Sequence, residues 1–399
     1  MIKPSGASTL TAFTCLFASL ALMSPAATAA PDDEWPGLNR QFKDLIQAGR
    51  YGDALPVAKR EVEITLKKDD AALGASYSNL GDVQCAQGQF AEAEQSYRHA
   101  VAANEKALGK NHPSVAADLY KMWGLFLASD QAEQADALLK RAQDINDKTA
   151  PGARVDVAAI LDRLAGAYQA YGALPPADRL YQRLLPMSEA KFGPDHPETA
   201  KVLDRLAHVY RMEAQYTAAE PLYKRAIDIK EKAYGPEHPE TADSLNGLAT
   251  VYVAQKRYRD AEPLAQRALA IYDKSGNPND QTVALCLNNL SKISRAQSQM
   301  PQAETYVKRS LTITEKNLGP EHTDVAARLN ELAILYAGEG NYAAAEPLVT
   351  RALAIYEKAL GPTHQNVAAT LTNLAKIERA LGHASEADAV DKRIVAMKQ

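Results

Sequence analysis

The chain has 399 residues, and its 49 acidic and 45 basic side chains give a formal net charge of −4. That charge argues against a nucleic-acid groove built on an excess of basic residues, so we expect no nucleic-acid partner. With 46% hydrophobic and only 7% aromatic residues, the composition is that of a helical protein.

Residues 1–29 differ from everything that follows. An apolar run over residues 10–23 leads into small residues with an A-x-A site at Ala27 and Ala29. This layout predicts a signal peptide cleaved near Ala29/Ala30, because the run is shorter than the roughly 20 residues that a bilayer span needs. We therefore expect an exported protein, periplasmic or extracellular, with no stable membrane span after leader cleavage. A leader retained as an anchor, or left uncleaved in the cytoplasm, is the alternative.

After the leader, one pattern recurs every 42 residues. In the copy from Gly235 to Asn277, two successive stretches place apolar residues on one face of a 3.6-residue period. The polar segment between them, 255–258, is long enough only for a tight turn between helices. Neither helix can bury its apolar face alone, so neighbouring copies must pack together. The leucine of the first helix recurs as Leu80, Leu164, Leu206, Leu248, Leu290, Leu332 and Leu374, with Met122 in the remaining copy.

The pattern L-x-x-L-A-x-x-Y … Y-x-x-A-E-P-L-x-x-R-A-L resembles a tetratricopeptide repeat, and the 42-residue length with its L-G-P-x-H-P junction resembles the kinesin light chain type. The resemblance implies an all-α fold, an α-solenoid of about nine antiparallel helix-turn-helix hairpins in a right-handed superhelix. It also implies that the first helix of each hairpin lines the concave wall. Such repeats serve many unrelated partners, so the resemblance implies fold more strongly than function. After the leader, the solenoid is expected over residues 32–399, with repeats at about 35–68, 70–108, 112–150, 154–192, 196–234, 238–276, 280–318, 322–360 and 364–399.

Prolines indicate where the second helices begin. A proline costs about 3 kcal/mol in a helix interior but almost nothing in the first turn. Pro221, Pro263 and Pro347 should therefore lie in first turns. Their helices are expected to begin near Thr217, Arg259 and Ala343.

Five histidines recur at the junctions: His112, His196, His238, His322 and His364. They are poor metal ligands, because ligating nitrogens lie within about 4 Å of each other and one repeat displaces the next histidine by the width of a helix pair. Either His196 caps its helix with Pro197 at the first helical position, or Asp195 and Glu198 form a capping box. We found no metal, cofactor or catalytic motif, so the chain is predicted to be non-catalytic.

The polar face of the first helices is the predicted binding surface. Asparagine recurs at one position of three successive first helices, as Asn246, Asn288 and Asn330. An amide both donates and accepts hydrogen bonds, and these positions resemble the peptide-holding asparagines of tetratricopeptide grooves. A cationic wall would favour an acidic peptide or a C-terminal carboxylate. Its members are Arg211, Lys292, Arg295, Lys376 and Arg379.

Two other interpretations of these residues stay open. They could be solvated helix-face residues, or the amides could hydrogen-bond between adjacent repeats. Earlier repeats place Tyr120, Asp162 and Asp204 at the asparagine position, so a bound peptide is expected toward the C-terminal half.

We thus predict a scaffold that binds extended peptide segments or partner proteins. The alternatives are an accessory or substrate-binding subunit of an envelope enzyme or polysaccharide system, and a cytoplasmic regulator with an uncleaved leader.

The two cysteines of the repeat array are not expected to pair. Cys85 and Cys286 fall five repeats apart, too far for a disulfide, whose Cα atoms lie within about 7 Å. The last helix, about 384–399, has no further helix to cover it. Val395 is expected to be exposed there, and a homo-oligomer contact through it is left open.

Overall fold

The computed structural model describes residues 34–67, 71–276 and 281–397. The predicted leader therefore lies outside the described residues. Within these ranges the chain forms eighteen α-helices and no strand. The helices are α1 Glu34–Gln47, α2 Tyr51–Thr65, α3 Ala71–Ala86, α4 Phe90–Leu108, α5 Pro113–Ala128, α6 Ala132–Lys148, α7 Val157–Ala170, α8 Leu174–Phe192, α9 Pro197–Met212, α10 Tyr216–Tyr234, α11 Pro239–Ala254, α12 Tyr258–Lys274, α13 Gln281–Ala296, α14 Met300–Leu318, α15 Thr323–Gly338, α16 Tyr342–Leu360, α17 Gln365–Leu381 and α18 Ala384–Ala396.

The helices fall into two compact units, one ending at Ala214 and one beginning at Gln215. In the N-terminal unit, α1 to α8 pair in sequence as four hairpins, and α9 packs on α8. In the C-terminal unit, α10 packs on α11, and α11 to α18 pair as four hairpins. The boundary falls inside the predicted fifth repeat, where the sequence shows no linker. The prediction of an all-α solenoid built from helix hairpins is confirmed.

Each junction histidine caps the first helix of its repeat. The Nδ1 atom of His238 accepts a hydrogen bond from the backbone N–H of Glu240 at 3.3 Å, with Pro239 at the first helical position. The same bond forms at the other four junctions. Just before the junction, Gly235 takes a φ of +92° that favours glycine. Of the two capping arrangements expected, the structure therefore has the histidine cap.

The leucines and alanines of the repeat form the core between helices. Leu203, Leu245 and Leu287 are at most 1% exposed, and the alanine of each second helix, such as Ala261, is fully buried. Each buried leucine contributes about 1.5–3 kcal/mol relative to exposure. The alanine has no bulk beyond Cβ, which lets paired helices approach closely.

The prolines of the second helices do not lie where we expected. Helices α10, α12 and α16 begin at their tyrosines, one residue earlier than predicted. Pro221, Pro263 and Pro347 are therefore sixth in their helices, in the second turn. The earlier start follows from turn residues with positive φ just before, such as Ala214 at +59° and Lys256 at +60°. Each helix consequently lacks one backbone hydrogen bond.

The burial of residues in α18 and the state of the two cysteines agree with the sequence predictions. In α18, Ala387 is buried, and Val395 is 57% exposed. Cys85 and Cys286 are buried free thiols, and burial raises the pKa of each to about 12. Across the described residues, no helix combines the length and apolarity that crossing a bilayer requires.

Candidate functional site

Two of the three recurring asparagines, Asn246 and Asn330, form hydrogen bonds to the neighbouring repeat. The amide oxygen of Asn246 accepts a hydrogen bond from Asn289 Nδ2 at 2.9 Å, and that of Asn330 accepts from Asn373 Nδ2 at 3.1 Å. In each pair, the second residue lies on the first helix of the next repeat. Two of the three predicted amides thus follow the alternative interpretation, in which they join adjacent repeats.

The same pair of repeat positions joins helices in the N-terminal unit with different chemistry. Lys121 Nζ on α5 donates to Ser78 Oγ on α3 at 2.8 Å. On α9, Arg205 forms an ion pair with Asp162 of α7. These positions are spaced 43 residues apart, as in the asparagine pairs. A polar contact at this position is therefore a general feature of the interface between repeats.

Helix α13 differs from this pattern. The Oδ1 atom of Asn288 is buried and has no hydrogen-bond partner. One and two turns further along, Lys292 and Arg295 are exposed, and within the described residues neither forms an ion pair. Partial burial of its ammonium lowers the pKa of Lys292, and the negative charge of Glu331 opposes that shift. Two exposed cations without an ion pair and a buried amide oxygen without a partner therefore share one helix face.

The other predicted cations are not brought together with these. Lys376 on α17 is exposed and forms no ion pair with any described residue. Arg379 forms an ion pair with Asp391 of α18, so its charge is compensated inside its own hairpin. Arg211 belongs to the N-terminal unit, where its Nε is buried without a hydrogen-bond partner. The predicted cationic wall is therefore reduced to Lys292, Arg295 and Lys376 in the C-terminal unit.

The arginines of the second helices form ion pairs with the preceding second helix. Arg267 lies 2.6 Å from Glu231 of the preceding second helix, and Arg351 lies 2.8 Å from Glu315. Two further pairs continue the series: Arg309 with Asp273, and Arg393 with Glu357. These arginines are compensated by the preceding repeat, whereas Lys292, Arg295 and Lys376 of the first helices form no ion pair with any described residue.

The N-terminal unit contains a cavity that the sequence did not indicate. Its volume is about 770 Å³, and its lining is largely apolar. Helices α3, α5, α7, α8 and α9 all contribute. Among the apolar lining residues are Tyr97, Ile160, Leu164, Tyr181 and Met212.

Glycine stands at one position of two successive first helices here, as Gly124 in α5 and Gly166 in α7. Of the two, Gly166 lines the cavity. A Cβ at Gly124 would lie 2.7 Å from Leu164, so this glycine permits close packing of α5 on α7. At Gly166 the nearest atom to such a Cβ would be Tyr181 Oη at 3.9 Å, so this glycine leaves open space. The residues at this position are Asp82, Gly124, Gly166, His208, Thr250, Lys292, Ile334 and Lys376.

Contacts join the second and fourth repeats, and two of the contacting residues, Asp82 and Arg163, line the cavity. The rings of Phe90 and Tyr168 stack with centroids 3.7 Å apart. Arg163 of α7 lies 3.8 Å from Asp82 of α3. Asp82 also accepts from Tyr97 Oη at 2.8 Å and lies 2.7 Å from Lys121 Nζ. The polar groups at this edge are thereby held in place by one another.

The polar lining of the cavity favours a single negative charge. It includes the cations Lys121, Arg163 and Arg205 and the carboxylates Asp82 and Asp162.

The lining histidine, His208, adds no charge at neutral pH. Burial, with a further contribution from the positive charge of Arg211, lowers the pKa of His208 to about 4. Its Nδ1 accepts a hydrogen bond from Gln169 Nε2 at 2.8 Å, which suits the neutral ring. A ligand with an apolar body and one anionic group would match this cavity.

Comparisons with known proteins agree with the repeat architecture. The tetratricopeptide repeat model matches residues 44–106, 72–148, 156–232, 202–274, 282–358 and 327–399. No curated protein matches the chain.

Several solved structures are similar. A putative kinesin light chain from Podosopora anserina with nearly identical TPR-like repeats has 26% identity over 51% of this chain and 96% of its own, with a TM-score of 0.45. BtubC (BKLC) from P. vanneervenii has 22% identity over 60% of this chain and 91% of its own, at 0.48. The apo form of RapI has 12% identity over 92% of this chain and 98% of its own, at 0.54, a likeness of fold.

Proposed function

The chain belongs to the tetratricopeptide repeat family, and on that premise we infer that it is a non-catalytic scaffold whose C-terminal unit binds an extended acidic segment of a partner protein. The observation that supports this site best is the face of α13. There, an unpaired amide oxygen and two cations without an ion pair lie within two helical turns.

The chemistry of this face suits a peptide. The Asn288 amide lies beside these cations. Rotation of its side chain would let the buried Oδ1 accept from a peptide N–H, which any extended backbone supplies. Lys292 and Arg295 can donate charge-assisted bonds to carboxylates, and such bonds contribute about 1.5–3 kcal/mol each. An acidic segment would thus satisfy all three groups at once.

Binding of a fluorescein-labelled peptide of alternating glutamate and alanine tests this proposal by fluorescence anisotropy. We expect the double variant Lys292→Ala/Arg295→Ala to bind this peptide at least about tenfold more weakly, a change of about 1.4 kcal/mol. A peptide with glutamine in place of glutamate should bind weakly to both proteins. Asn288→Ala combined with Arg295→Ala should weaken binding in the same way.

A matched control is available on the second helices of the same unit. Lys232 and Lys316 lie in the last turns of α10 and α14, and both are exposed. The variant Lys232→Ala/Lys316→Ala removes the same charge from the other side of the hairpins. Equal weakening by this control would show that net charge alone attracts the peptide, and the proposed site would be wrong.

The cavity of the N-terminal unit favours a second candidate function. Its volume of about 770 Å³ falls in the range of about 300–1,000 Å³ typical of ligand sites. Such a site would suit the substrate-binding or accessory role, with a small apolar anion as ligand. Three lining tyrosines, Tyr51, Tyr97 and Tyr181, provide the aromatic surface that the predicted groove lacks.

We also propose that the protein is exported and acts in the periplasm or outside the cell. The support is the layout of residues 1–29, with its apolar run and its A-x-A site. N-terminal sequencing of the protein purified from its native cells should find a chain that begins at Ala30 or Pro31. A chain that still begins at Met1 would exclude cleavage and favour the anchored or cytoplasmic alternative.

A further inference from the structure

The last two described hairpins bring two carboxylates and a histidine together. Glu346 lies on α16, Glu378 on α17, and His383 at the N-cap of α18. One side-chain oxygen or nitrogen from each lies within 4.8 Å of the other two. His383 Nδ1 is 2.8 Å from Glu378 Oε2, and Glu378 is only 7% exposed. None of the three belongs to the binding surfaces described above.

Equivalent positions in other repeats pair a carboxylate with a hydroxyl. Tyr252 Oη donates to Glu220 Oε1 at 2.9 Å, and Tyr336 Oη donates to Glu304 Oε1 at 2.9 Å. In the last repeat, Glu378 stands at the tyrosine position. A donor has been replaced by a second acceptor, so two carboxylates now face each other.

The cations that accompany the other carboxylates are also replaced. Lys224 lies 2.7 Å from Glu220, and Lys308 lies 2.6 Å from Glu304, each one turn along the same helix. The residue at this position in α16 is Thr350. Within the described residues, no lysine or arginine forms an ion pair with either carboxylate beside the histidine. Two facing carboxylates without a cation repel each other, and a bound cation would remove that repulsion.

The histidine also stands where another repeat has a cation. Its counterpart Arg257 lies 2.8 Å from Glu220. His383 and Thr350 thus replace the two cations, Arg257 and Lys224, that accompany Glu220.

We propose that Glu346, Glu378 and His383 bind a divalent transition-metal ion, for which Zn²⁺ is the best match. Zinc accepts one imidazole nitrogen and carboxylate oxygens as ligands, and sites with three protein ligands complete their coordination with water. A purely carboxylate site would favour magnesium or calcium, and the imidazole shifts the preference toward zinc. His383 is half-exposed, which gives the ion a route from solvent.

The ion would attach the last helix to the repeat before it. The three ligands come from α16, α17 and α18. Among the described helices, α18 packs mainly on α17, and an element with few packing neighbours opens more readily than the interior of the array. The shared ligands would join α18 to α16 as well.

Isothermal titration of the full chain with ZnCl₂, after treatment with a chelator, tests the proposal. We expect the wild-type protein to bind one equivalent that Glu378→Tyr loses. That substitution installs the residue found at this position in α11 and α15, and its hydroxyl can donate to Glu346, so the variant should fold without metal. His383→Gln, which installs the residue found at the corresponding position before α14, should lose the same equivalent.

A control distinguishes this site from other histidines. His364 lies in the same hairpin and caps α17, and asparagine can also cap a helix. His364→Asn should therefore retain the equivalent of zinc. Binding that persists in both Glu378→Tyr and His383→Gln, or that is lost in His364→Asn, would overturn the proposal.

Hydrogen exchange measures an effect of zinc on α18 that a change in folding alone would not produce. Zn²⁺ should slow amide exchange in α18 of the wild-type protein at least about tenfold, by shifting the opening equilibrium of this helix. The rate in Glu378→Tyr should not depend on zinc. Equal zinc effects in the two proteins would show that the ion acts elsewhere.

Discussion

Replacing Glu61 with glutamine is expected to stabilise the N-terminal hairpin by about 3 kcal/mol near pH 8 and to change its stability little near pH 4. Glu61 lies on α2 and is fully buried. Burial raises the pKa of its carboxyl from 4.5 to about 7, although a hydrogen bond from Asn79 and the charge of Lys43 oppose the shift. The Oε1 atom has no hydrogen-bond partner. Ionisation of Glu61 is therefore unfavourable in the folded hairpin.

The sign of the pH dependence follows from the raised pKa. The folded state holds the proton more tightly than the unfolded state, so the stabilising contribution is complete below pH 4.5 and is lost as the pH rises through about 7. Glutamine cannot ionise, so the variant does not lose this contribution. Counting from the start of the helix, the same position holds Ala226 in α10, Ala268 in α12 and Ala352 in α16, all fully buried. A neutral side chain is thus the rule at this position.

Trp35 provides a local measurement of this effect. Its indole N–H donates to Ser76 Oγ at 2.9 Å, which links α1 to α3. In a Trp123→Phe background, the fluorescence of Trp35 during urea unfolding reports the first hairpin at each pH. The matched control is Glu63→Gln on the same helix, because Glu63 is exposed. If Glu63→Gln and Glu61→Gln have equal effects at high pH, burial of Glu61 is not the cause.

The repeat period predicted the fold because each copy places its apolar residues at the same helix positions, so each copy packs in the same way. The leucines of first helices and the alanines of second helices occupy the core, as expected. The histidine cap was one of two expected arrangements. The sequence is compatible with both, and the hydrogen bond from the backbone N–H to the histidine Nδ1 distinguishes them. The helix starts lie within one residue of those expected, but the prolines fall in the second turn instead of the first. The left-handed residues Ala214 and Lys256 are not glycines, so the turns before two of these helices had no glycine signal.

The binding residues were harder to predict than the fold. Periodicity placed Asn246, Asn288 and Asn330 correctly at one repeat position, but it does not say what faces that position. The facing residue lies 43 residues further along the chain. It is therefore on the first helix of the next repeat, one position beyond the equivalent residue. Where that residue is asparagine, the two amides bond, and at Asn288 the facing position holds Glu331 instead. Glu331 accepts from Ser291 at 3.1 Å and pairs with Arg328 at 3.2 Å.

The cavity was missed for a different physical reason. A motif search looks for residues that perform chemistry, whereas this cavity arises where side chains are absent. Aligning the repeats by their leucines would have shown Gly124 and Gly166 in succession at a position that holds larger residues elsewhere. Which of the two glycines opens space depends on how closely α5 and α7 pack. That packing is a property of the assembled unit.

Filling the cavity from Gly166 is expected to abolish binding of an apolar anion to the N-terminal unit. The substitution Gly166→Ile installs the side chain that α15 has at this position, Ile334. The isoleucine should occupy the open space in front of Tyr181. Anilinonaphthalene sulfonate is a suitable probe, because it combines an apolar body with one negative charge. We expect its affinity to fall at least about a hundredfold, a change of about 2.7 kcal/mol.

Gly37 offers the matched control for this experiment. It is an exposed glycine inside α1, and a Cβ there would meet no atom within 4 Å. Gly37→Ile makes the same chemical change in the same unit, and it should leave dye fluorescence unchanged. Circular dichroism at matched concentration would verify that both variants keep their helices. Dye that binds equally to all three proteins would place its site outside the cavity, and the cavity would then be a packing feature without a ligand.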